Sequence, residues 1–516
     1  MAKLCICLTA KSLARNLEIL EKYRKHVDLA ELRVDCLDPD ERLSIRRFPE
    51  KANIPVILTI RRDVDGGHFS SGEGGRINLM ARGMAYADVD RRKNFAYIDL
   101  EDDVSVPSIE EAARTFGTRI IRSYHNIKGD ENDISARIRS MSRADDEIIK
   151  VGIAPNSTWD VLGLLRAGRA FKGRDKILIA MGPLGVYSRI LSEQFGSFLS
   201  YASPLAEKDA SSAGIGQFDA ETLARRYRFR GVTAGTKIYG LMGFPIRAHD
   251  NPSFFFNAIF EMENIDAVYV PFPADSITAG LEVAKELGVE GLSITAPYKE
   301  SIIPLLDMQS PDVEKIGACN TVSRCAVGWL GTNTEGRAFA DSFEEFLSRR
   351  TGARRLRRLR ATVIGAGSVA KAAVFELRRM GAKALVLNRT ARKARELALP
   401  WKFAWGSLHS HDVRMIGRYC DAIIQATSAG ADGSGLGDLA ESYSFTGKEK
   451  VVDFALAQET TPFLKRAVGA GCLTRGGRDM FVRQAKYQYA QFVGREFPEH
   501  LLAKASPVAD GSEDWL

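Results

Sequence analysis

No C-x-x-C pair occurs among the seven scattered cysteines of this 516-residue chain, which argues against a disulfide framework and against a cysteine-ligated zinc site. Cys5 and Cys7 alternate on a strand-like run and are read as packing there. No apolar stretch approaches the length of a membrane span. The N-terminal MAKLCICLTAKS runs straight into that strand-like run, without the longer apolar region and small-residue cleavage site of a secretory signal. Low-complexity tracts and internal repeats are also missing, so nothing favours a purely structural role. What is present is the composition of a soluble globular protein, 45% hydrophobic and 27% charged, long enough for two or three domains. The expectation is a cytoplasmic protein with no membrane partner. A formal net charge of +7 suits anionic substrates or a phosphorylated cofactor. The charge concentrates in RRTGARRLRRLR (349–360). No aromatic interleaving, zinc pattern or other nucleic-acid module accompanies that run, so it is read as a solvated face and no nucleic-acid partner is expected. Homo-oligomer formation stays open.

Short β-rich runs alternate with helix-like stretches through the first half. They are CICLTA (5–10), LAELRVD (29–35), IPVILTIR (54–61), NFAYIDLE (94–101), TRIIRSYH (118–125), EIIKVGI (147–153), KILIAMG (176–182) and LSYASP (199–204). Segments between them, such as SLARNLEILEKYRKH and TWDVLGLLRAGRAF, have helical apolar spacing. Eight alternations imply a closed (β/α)8 barrel. In LAELRVD the residues Glu31, Arg33 and Asp35 fall at period two and so share one face. Arg61, Glu101 and His125 end their runs, whereas Lys150 lies inside one. Each has a structural explanation. Lys150 can snorkel from a sheet edge, Glu31 and Arg33 can form a layer at the barrel floor, and His125 can be a satisfied core histidine. Together, though, they sit where barrel active sites are built, at the C-terminal ends of strands. A desolvated lysine beside Arg33 or Arg61 would be partly neutral and suited to attack a carbonyl. His125 would then move protons, and an arginine would hold a substrate carboxylate.

The segments ELRVD, LTIR, SYHN, IIKVG, MGPLGVYSRI and GIGQ resemble, in order and spacing, the type I 3-dehydroquinate dehydratases, over about residues 3–220. The resemblance implies Lys150 as the Schiff-base lysine and His125 as the general acid/base. It also implies Glu31, Arg33, Arg61, Arg189 and Gln217 as substrate contacts, with Arg189 on the carboxylate. Where the family has Glu-Gly-Gly, with the Glu orienting the histidine, this chain has Asp65-Gly66-Gly67. The substrate loop, Ser212 to Gln217, is one residue longer than the family's. Another imine-forming barrel, such as an aldolase, is the competing reading, and the phosphate-binding loop it would favour is not evident.

After residue 237 the pattern restarts. ATVIGAGSVAKAAVFELRRMGAKALVLNRT (361–390) runs from an apolar strand through Gly365-Ala366-Gly367-Ser368-Val369-Ala370 into a helix and a second strand. This is the Rossmann turn, in which pyrophosphate sits on a helix N-terminus. The second strand ends in Asn388-Arg389-Thr390 in place of a ribose-binding carboxylate. With Arg392 and Lys393 near, a 2′-phosphate is expected and NADP is preferred over NAD.

The surrounding motifs resemble shikimate dehydrogenase over about residues 237–495. SITAPYKES implies Lys299 as catalytic residue and Thr295 as a substrate contact. GACNTV supplies Asn320, GTNTEG supplies Glu335 in place of the family's Asp, and GGRDMFVRQA supplies Gln484. IIQATSAG places Thr427 on the cofactor side, with Gln425 in place of an Asn. The family's two carboxylate-binding serines align with His249 and Asn251, and the tyrosine expected after Asp453 is absent. The two resemblances imply a bifunctional shikimate-pathway enzyme, dehydrating 3-dehydroquinate and then reducing 3-dehydroshikimate to shikimate with NADPH, without a metal. The alternative is an active dehydratase fused to a weakened or substrate-shifted domain, for example one taking quinate. A non-catalytic scaffold binding NADP is a third reading. The expected organisation is a barrel over 1–220, a linker over 221–236 and a substrate domain over 237–345. A Rossmann domain over 346–470, returning helices over 471–500 and a tail over 501–516 complete it.

Overall fold

The computed structural model describes residues 1–85, 88–129, 133–204, 217–246, 252–351, 359–430, 437–456 and 460–505. His249, Asn251 and most of the loop before Gln217 lie outside the described residues. The chain divides into two compact units, Met1–Gly240 with Phe260–Val289, and Leu241–Ile259 with Glu290–Leu516.

All eight strand-like runs of the first half are strands: β1 (Lys3–Leu8), β2 (Leu29–Arg33), β3 (Val56–Thr59), β4 (Tyr97–Glu101), β5 (Arg119–Asn126), β6 (Ile148–Ile153), β7 (Lys176–Ala180) and β8 (Leu199–Ala202). They pair in parallel in the order β7-β6-β5-β4-β3-β2-β1-β8. At the seam the Phe198 amide donates to the Lys176 carbonyl at 2.6 Å, and the Leu178 amide donates to Ser197 Oγ at 2.7 Å, so the barrel is nearly closed. Side chains two apart on a strand share a face, and the inward series of β2 to β6 begin apolar and turn polar at the second position. They run Leu29–Glu31–Arg33, Ile57–Thr59–Arg61, Tyr97–Asp99–Glu101, Ile121–Ser123–His125 and Ile148–Lys150–Gly152. The apolar members pack with Cys5, Cys7, Ile177, Leu199 and Tyr201 as one buried cluster. Asp35 departs from the period-two expectation. β2 ends at Arg33, and a 3-10 turn over Val34–Cys36 swings Asp35 back so that it accepts two bonds from Arg33, at 2.9 and 2.7 Å.

A second sheet contains β9 (Lys237–Gly243), β10 (Ala267–Pro273), β11 (Val289–Ile294), β12 (Met308–Gln309), β13 (Thr321–Cys325) and β14 (Gly328–Thr332), in the order β10-β9-β11-β13-β14-β12. The third is wholly parallel: β15 (Arg360–Ile364), β16 (Lys383–Asn388), β17 (Ala404–Ser407), β18 (Ala422–Gln425), β19 (Lys450–Asp453) and β20 (Leu473–Gly476). Its order, β17-β16-β15-β18-β19-β20, reverses at β15, which opens a crevice at that strand's C-terminal end. Both faces are covered, with Val363, Val386 and Ile424 in one buried cluster and Ile364, Leu385 and Ile423 in another. That double burial is why these strands read as continuous apolar runs. The final long helix, Gly477–Val493, bonds to the second sheet: Ser293 Oγ donates to Gln488 Oε1 at 2.9 Å, and Gln491 Nε2 donates to Ser323 Oγ at 2.9 Å. No helix among the described residues is long and apolar enough to cross a membrane.

Candidate functional site

The first unit gathers its charged residues inside the barrel. Lys150 is buried on β6, and its Nζ donates to Asp99 Oδ2 at 2.9 Å, lies 3.5 Å from Glu31 Oε1 and stands 4.5 Å above the centre of the Tyr201 ring. Glu31 also accepts from Thr59 Oγ1 at 2.9 Å and from Cys7 Sγ at 3.3 Å. Arg61 is shared between Asp99 and Glu101, at 2.9 and 2.7 Å. Behind it, Arg76, on the helix Gly72–Met84, is fully buried against Glu101 and the Ile60 carbonyl. Both arginines anticipated beside Lys150 are therefore already paired, Arg33 with Asp35 and Arg61 with two acids, and carboxylates rather than guanidinium groups touch the amine. Asp99 was not singled out in the sequence, although it stands two residues before Glu101 on the same face of YIDLE.

His125 lies on β5 opposite Gly152, two residues beyond the Ser123–Lys150 pairing. A Cβ at Gly152 would come within 3.3 Å of the His125 ring, so glycine there gives the imidazole room. Burial, then the charges of Arg61 and Lys150, hold His125 well below its ordinary value against the opposing pull of Asp99, and the ring is neutral. Its Nδ1 is buried without a hydrogen-bond partner among the described residues. The carboxylate implied for orienting it, Asp65, instead accepts from Arg62 Nε at 2.6 Å. Burial acts to raise Asp99, but Arg61, Lys150, His125 and the Ser123 bond outweigh it and hold the carboxyl far below its usual range. Arg189, on the short helix Val186–Ile190, is buried, and that burial pulls it down to about 10, with Cys7 and Tyr201 nearby. Gln217 Nε2 lies 3.9 Å from Cys7 Sγ, on the Glu31 side of the same interior.

In the second unit a cavity of about 800 Å³ is walled by Thr295, Lys299, Glu335 and Gln484, and by the Rossmann turn. Lys299, on the turn of helix Tyr298–Ser301, donates to Glu335 Oε1, so the extra methylene of Glu335 still completes the ion pair. The second oxygen, Oε2, is buried with no hydrogen-bond partner among the described residues. Asn320 is not on the wall. It is fully buried, and its side-chain oxygen accepts from the Thr334 amide at 2.8 Å while its Nδ2 donates to Thr334 Oγ1 at 2.9 Å. Gln488, which the sequence reading passed over, does reach the wall. It carries no motif signal, standing one helical turn after Gln484.

The residues present fit a dinucleotide. Gly365 has φ +119, and a Cβ there would lie 2.7 Å from the Ala426 carbonyl oxygen; a Cβ on Gly367 would meet nothing within 4 Å, leaving open space over the N-terminus of helix Ser368–Arg379. Ala366, Gly367, Ser368, Val369, Asn388, Arg389, Lys393 and Thr427 line the cavity. Ala370 is buried against the sheet core, and Thr390 caps the next helix, its carbonyl accepting from Asn388 Nδ2 at 3.1 Å. Gln425, in place of Asn, accepts from Thr427 Oγ1 at 2.9 Å and braces the loop from beneath.

Comparison with known proteins divides the chain between residues 234 and 241. The family model for type I 3-dehydroquinase matches residues 4–234. Those for the shikimate dehydrogenase substrate binding domain and for shikimate / quinate 5-dehydrogenase match 241–322 and 347–455. A chloroplastic bifunctional 3-dehydroquinate dehydratase/shikimate dehydrogenase of Arabidopsis thaliana is 26% identical over 96% of this chain and 83% of its own length. A shikimate dehydrogenase (NADP(+)) of Syntrophobacter fumaroxidans is 31% identical over 51% of this chain and 90% of its own. Among solved structures, the dehydroquinate dehydratase and shikimate dehydrogenase from S. pombe AroM covers 98% of each chain at 23% identity, with a TM-score of 0.44.

Proposed function

We infer the function from one premise: this chain belongs to the shikimate dehydrogenase family through its second half and joins to it a type I 3-dehydroquinase domain. It is a bifunctional shikimate-pathway enzyme, a lyase that converts 3-dehydroquinate to 3-dehydroshikimate and an oxidoreductase that interconverts 3-dehydroshikimate and shikimate. The observation that carries the reading is the enclosed Lys150, set between Asp99 and Glu31 with His125 on the neighbouring strand.

In the barrel, the Lys150 ammonium gives up a proton to reach the nucleophilic amine, and neutral His125 is the base available to take it. The amine adds to the substrate ketone, the imidazolium gives its proton to the hydroxyl of the adduct, and loss of that water leaves a protonated imine with His125 neutral again. His125 then removes a proton from the carbon next to the imine. The electron pair moves toward the nitrogen and expels the hydroxyl on the following carbon, and the imidazolium returns the proton to the departing oxygen. Hydrolysis frees the product and restores Lys150. Arg189, buried and cationic, holds the substrate carboxylate. Arg33, Arg61, Glu31 and Gln217 face the hydroxyls.

In the second unit, NADPH supplies hydride to the substrate carbonyl when bound. Lys299 Nζ delivers the proton to the carbonyl oxygen, and Glu335 fixes that amine. Thr295 and Gln484 orient the substrate, whereas Asn320 acts through Thr334. Preference for the 2′-phosphate is supported by Arg389 and Lys393 on the cavity wall beside Asn388, with no carboxylate at that position. We assign a barrel over 1–220, a docked linker over 221–236, a substrate domain over 237–345 and a Rossmann domain over 346–470, followed by a returning segment over 471–500. Seven cysteines held in no disulfide support a cytoplasmic setting.

The test is one cuvette. Purified chain mixed with 3-dehydroquinate and NADPH should consume the reduced nicotinamide without added enzymes, and borohydride should trap a substrate-dependent adduct on Lys150. Oxidation with 3-dehydroshikimate but not with 3-dehydroquinate would remove the dehydratase half of the reading.

A further inference from the structure

Arg189 is carried by a segment whose inner side is fixed by the barrel. A Cβ on Gly185 would lie 2.2 Å from the Ala180 carbonyl oxygen, so the turn Pro183–Gly185 rests directly on the end of β7. Ser188 Oγ donates to the Gly185 carbonyl at 2.7 Å and accepts from the Ala180 amide at 3.1 Å. The Arg189 carbonyl accepts from Ser200 Oγ at 2.8 Å and from Ser192 Oγ at 3.0 Å.

The outer side is held by something else. Tyr187, fully buried two residues before Arg189, stacks on Phe272 of β10, with ring centres 4.4 Å apart and planes 6° from parallel. The Tyr187 hydroxyl is buried without a hydrogen-bond partner among the described residues, and it is the ring face that stacks on the neighbouring strand. Phe272 lies beyond the 4–234 stretch that matches the dehydratase family model, yet it belongs to the same compact unit as the barrel. The strand that carries it leads into a second attachment. The Thr158 amide and Oγ1 donate to Asp275 Oδ1 at 2.9 and 2.5 Å, and the Asp275 amide donates back to Thr158 Oγ1 at 3.1 Å. Thr158 begins the helix that follows the Lys150 strand. Further along, Arg166 and Arg169 pair with Glu286 of helix Ile277–Leu287. Residues 267–287 thus grip the two helices that follow β6 and β7.

We propose that Phe272 is a positioning residue of the dehydratase, holding Arg189 in register with the substrate carboxylate through the stacked Tyr187 ring, although it is contributed by the sequence of the second module. The inference rests on the assignment of Arg189 as the carboxylate-binding residue. Losing one stacked ring pair corresponds to a change of about two- to tenfold.

In the full chain, Phe272→Leu and Tyr187→Leu should each raise KM for 3-dehydroquinate by about two- to tenfold, leave kcat at the wild-type value and leave borohydride trapping on Lys150 intact at saturating substrate. Tyr187→Phe keeps the stack and should keep the wild-type KM. The double variant Phe272→Leu/Tyr187→Leu should be no worse than the poorer single one, because both remove the same contact. A wild-type KM in both leucine variants, additive effects in the double variant, or a fall in kcat at constant KM would each overturn the proposal. Arg189→Ala separates the layers. A large KM increase there with none in the leucine variants rejects the positioning role alone, and no increase in Arg189→Ala rejects the carboxylate assignment beneath it.

Discussion

Two lysines, one in each unit, are held differently by their carboxylate partners. Lys150 projects from the middle of a strand, touches two acids and an aromatic face, and has a side chain only 6% exposed. Lys299 sits on a single turn of helix, has one acid, Glu335, and is 15% exposed at the wall of a large cavity. A nucleophile that must become covalently attached benefits from fixed geometry and exclusion of bulk water. A proton donor to an incoming substrate needs one anchor and an open side. The difference teaches that a buried lysine–carboxylate pair does not identify the chemistry; the number of partners and the access to them do.

The sharpest way to break the comparison is to remove each amine. Lys150→Ala should lower dehydration by roughly 10⁴-fold or more, abolish the borohydride adduct and leave reduction of 3-dehydroshikimate untouched. Lys299→Ala should lower kcat/KM for reduction by roughly 10²–10⁴-fold with dehydration unchanged. Separate assays with 3-dehydroquinate and with 3-dehydroshikimate read both, and loss of the two activities together in either variant would contradict independent sites.

Acid should act on the two units with opposite sign. His125 is held below its ordinary value, so below about pH 6.5 the unfolded chain binds a proton that the folded barrel refuses, and the first unit loses stability as pH falls. Asp99 adds the same sign below the usual carboxylate range. Asp453, at the end of β19, is raised by burial to about 6. Its protonated form contributes stability that is present below the carboxylate range and lost as pH rises through about 6, on the order of 3 kcal/mol. Hydrogen exchange corrected for intrinsic rates should show β5 and β6 losing protection, and β19 gaining it, on going from about pH 7 to about pH 5. His125→Gln should flatten the first trend and Asp453→Asn the second.

The smallest expected effect sharpens the cofactor side. Arg389→Ala should raise KM for NADPH by about tenfold, the worth of a charge-assisted hydrogen bond, with KM for NADH nearly constant. Equal changes for both nucleotides would place Arg389 away from the 2′-phosphate.

Much of this was legible because two simple periodicities carry it. The alternation of strand and helix gave the barrel, period two along ELRVD put Glu31 and Arg33 on one face, and the ends of LTIR, YIDLE and SYHN placed Arg61, Glu101 and His125 near Lys150. GAGSVA between a strand and a helix marked the dinucleotide turn without any tertiary knowledge. The same period two contained Asp99, and only attention to strand ends left it unnamed. Asp35 was misplaced on the strand face because where a strand gives way to a 3-10 turn is set by a local hydrogen-bond competition, here won by the bidentate Arg33–Asp35 pair.

The chain's order of residues by itself determined the two folds, the enclosed lysine and the nucleotide turn, since each follows from local pattern acting within one strand, turn or helix. Which partner each charge takes was decided only in three dimensions. Arg61 choosing Asp99 and Glu101, Asn320 using its amide on Thr334, and Phe272 stacking on Tyr187 beside Arg189 all join residues from different elements. Such pairings depend on distances and burial set by packing, and sequence spacing does not encode them.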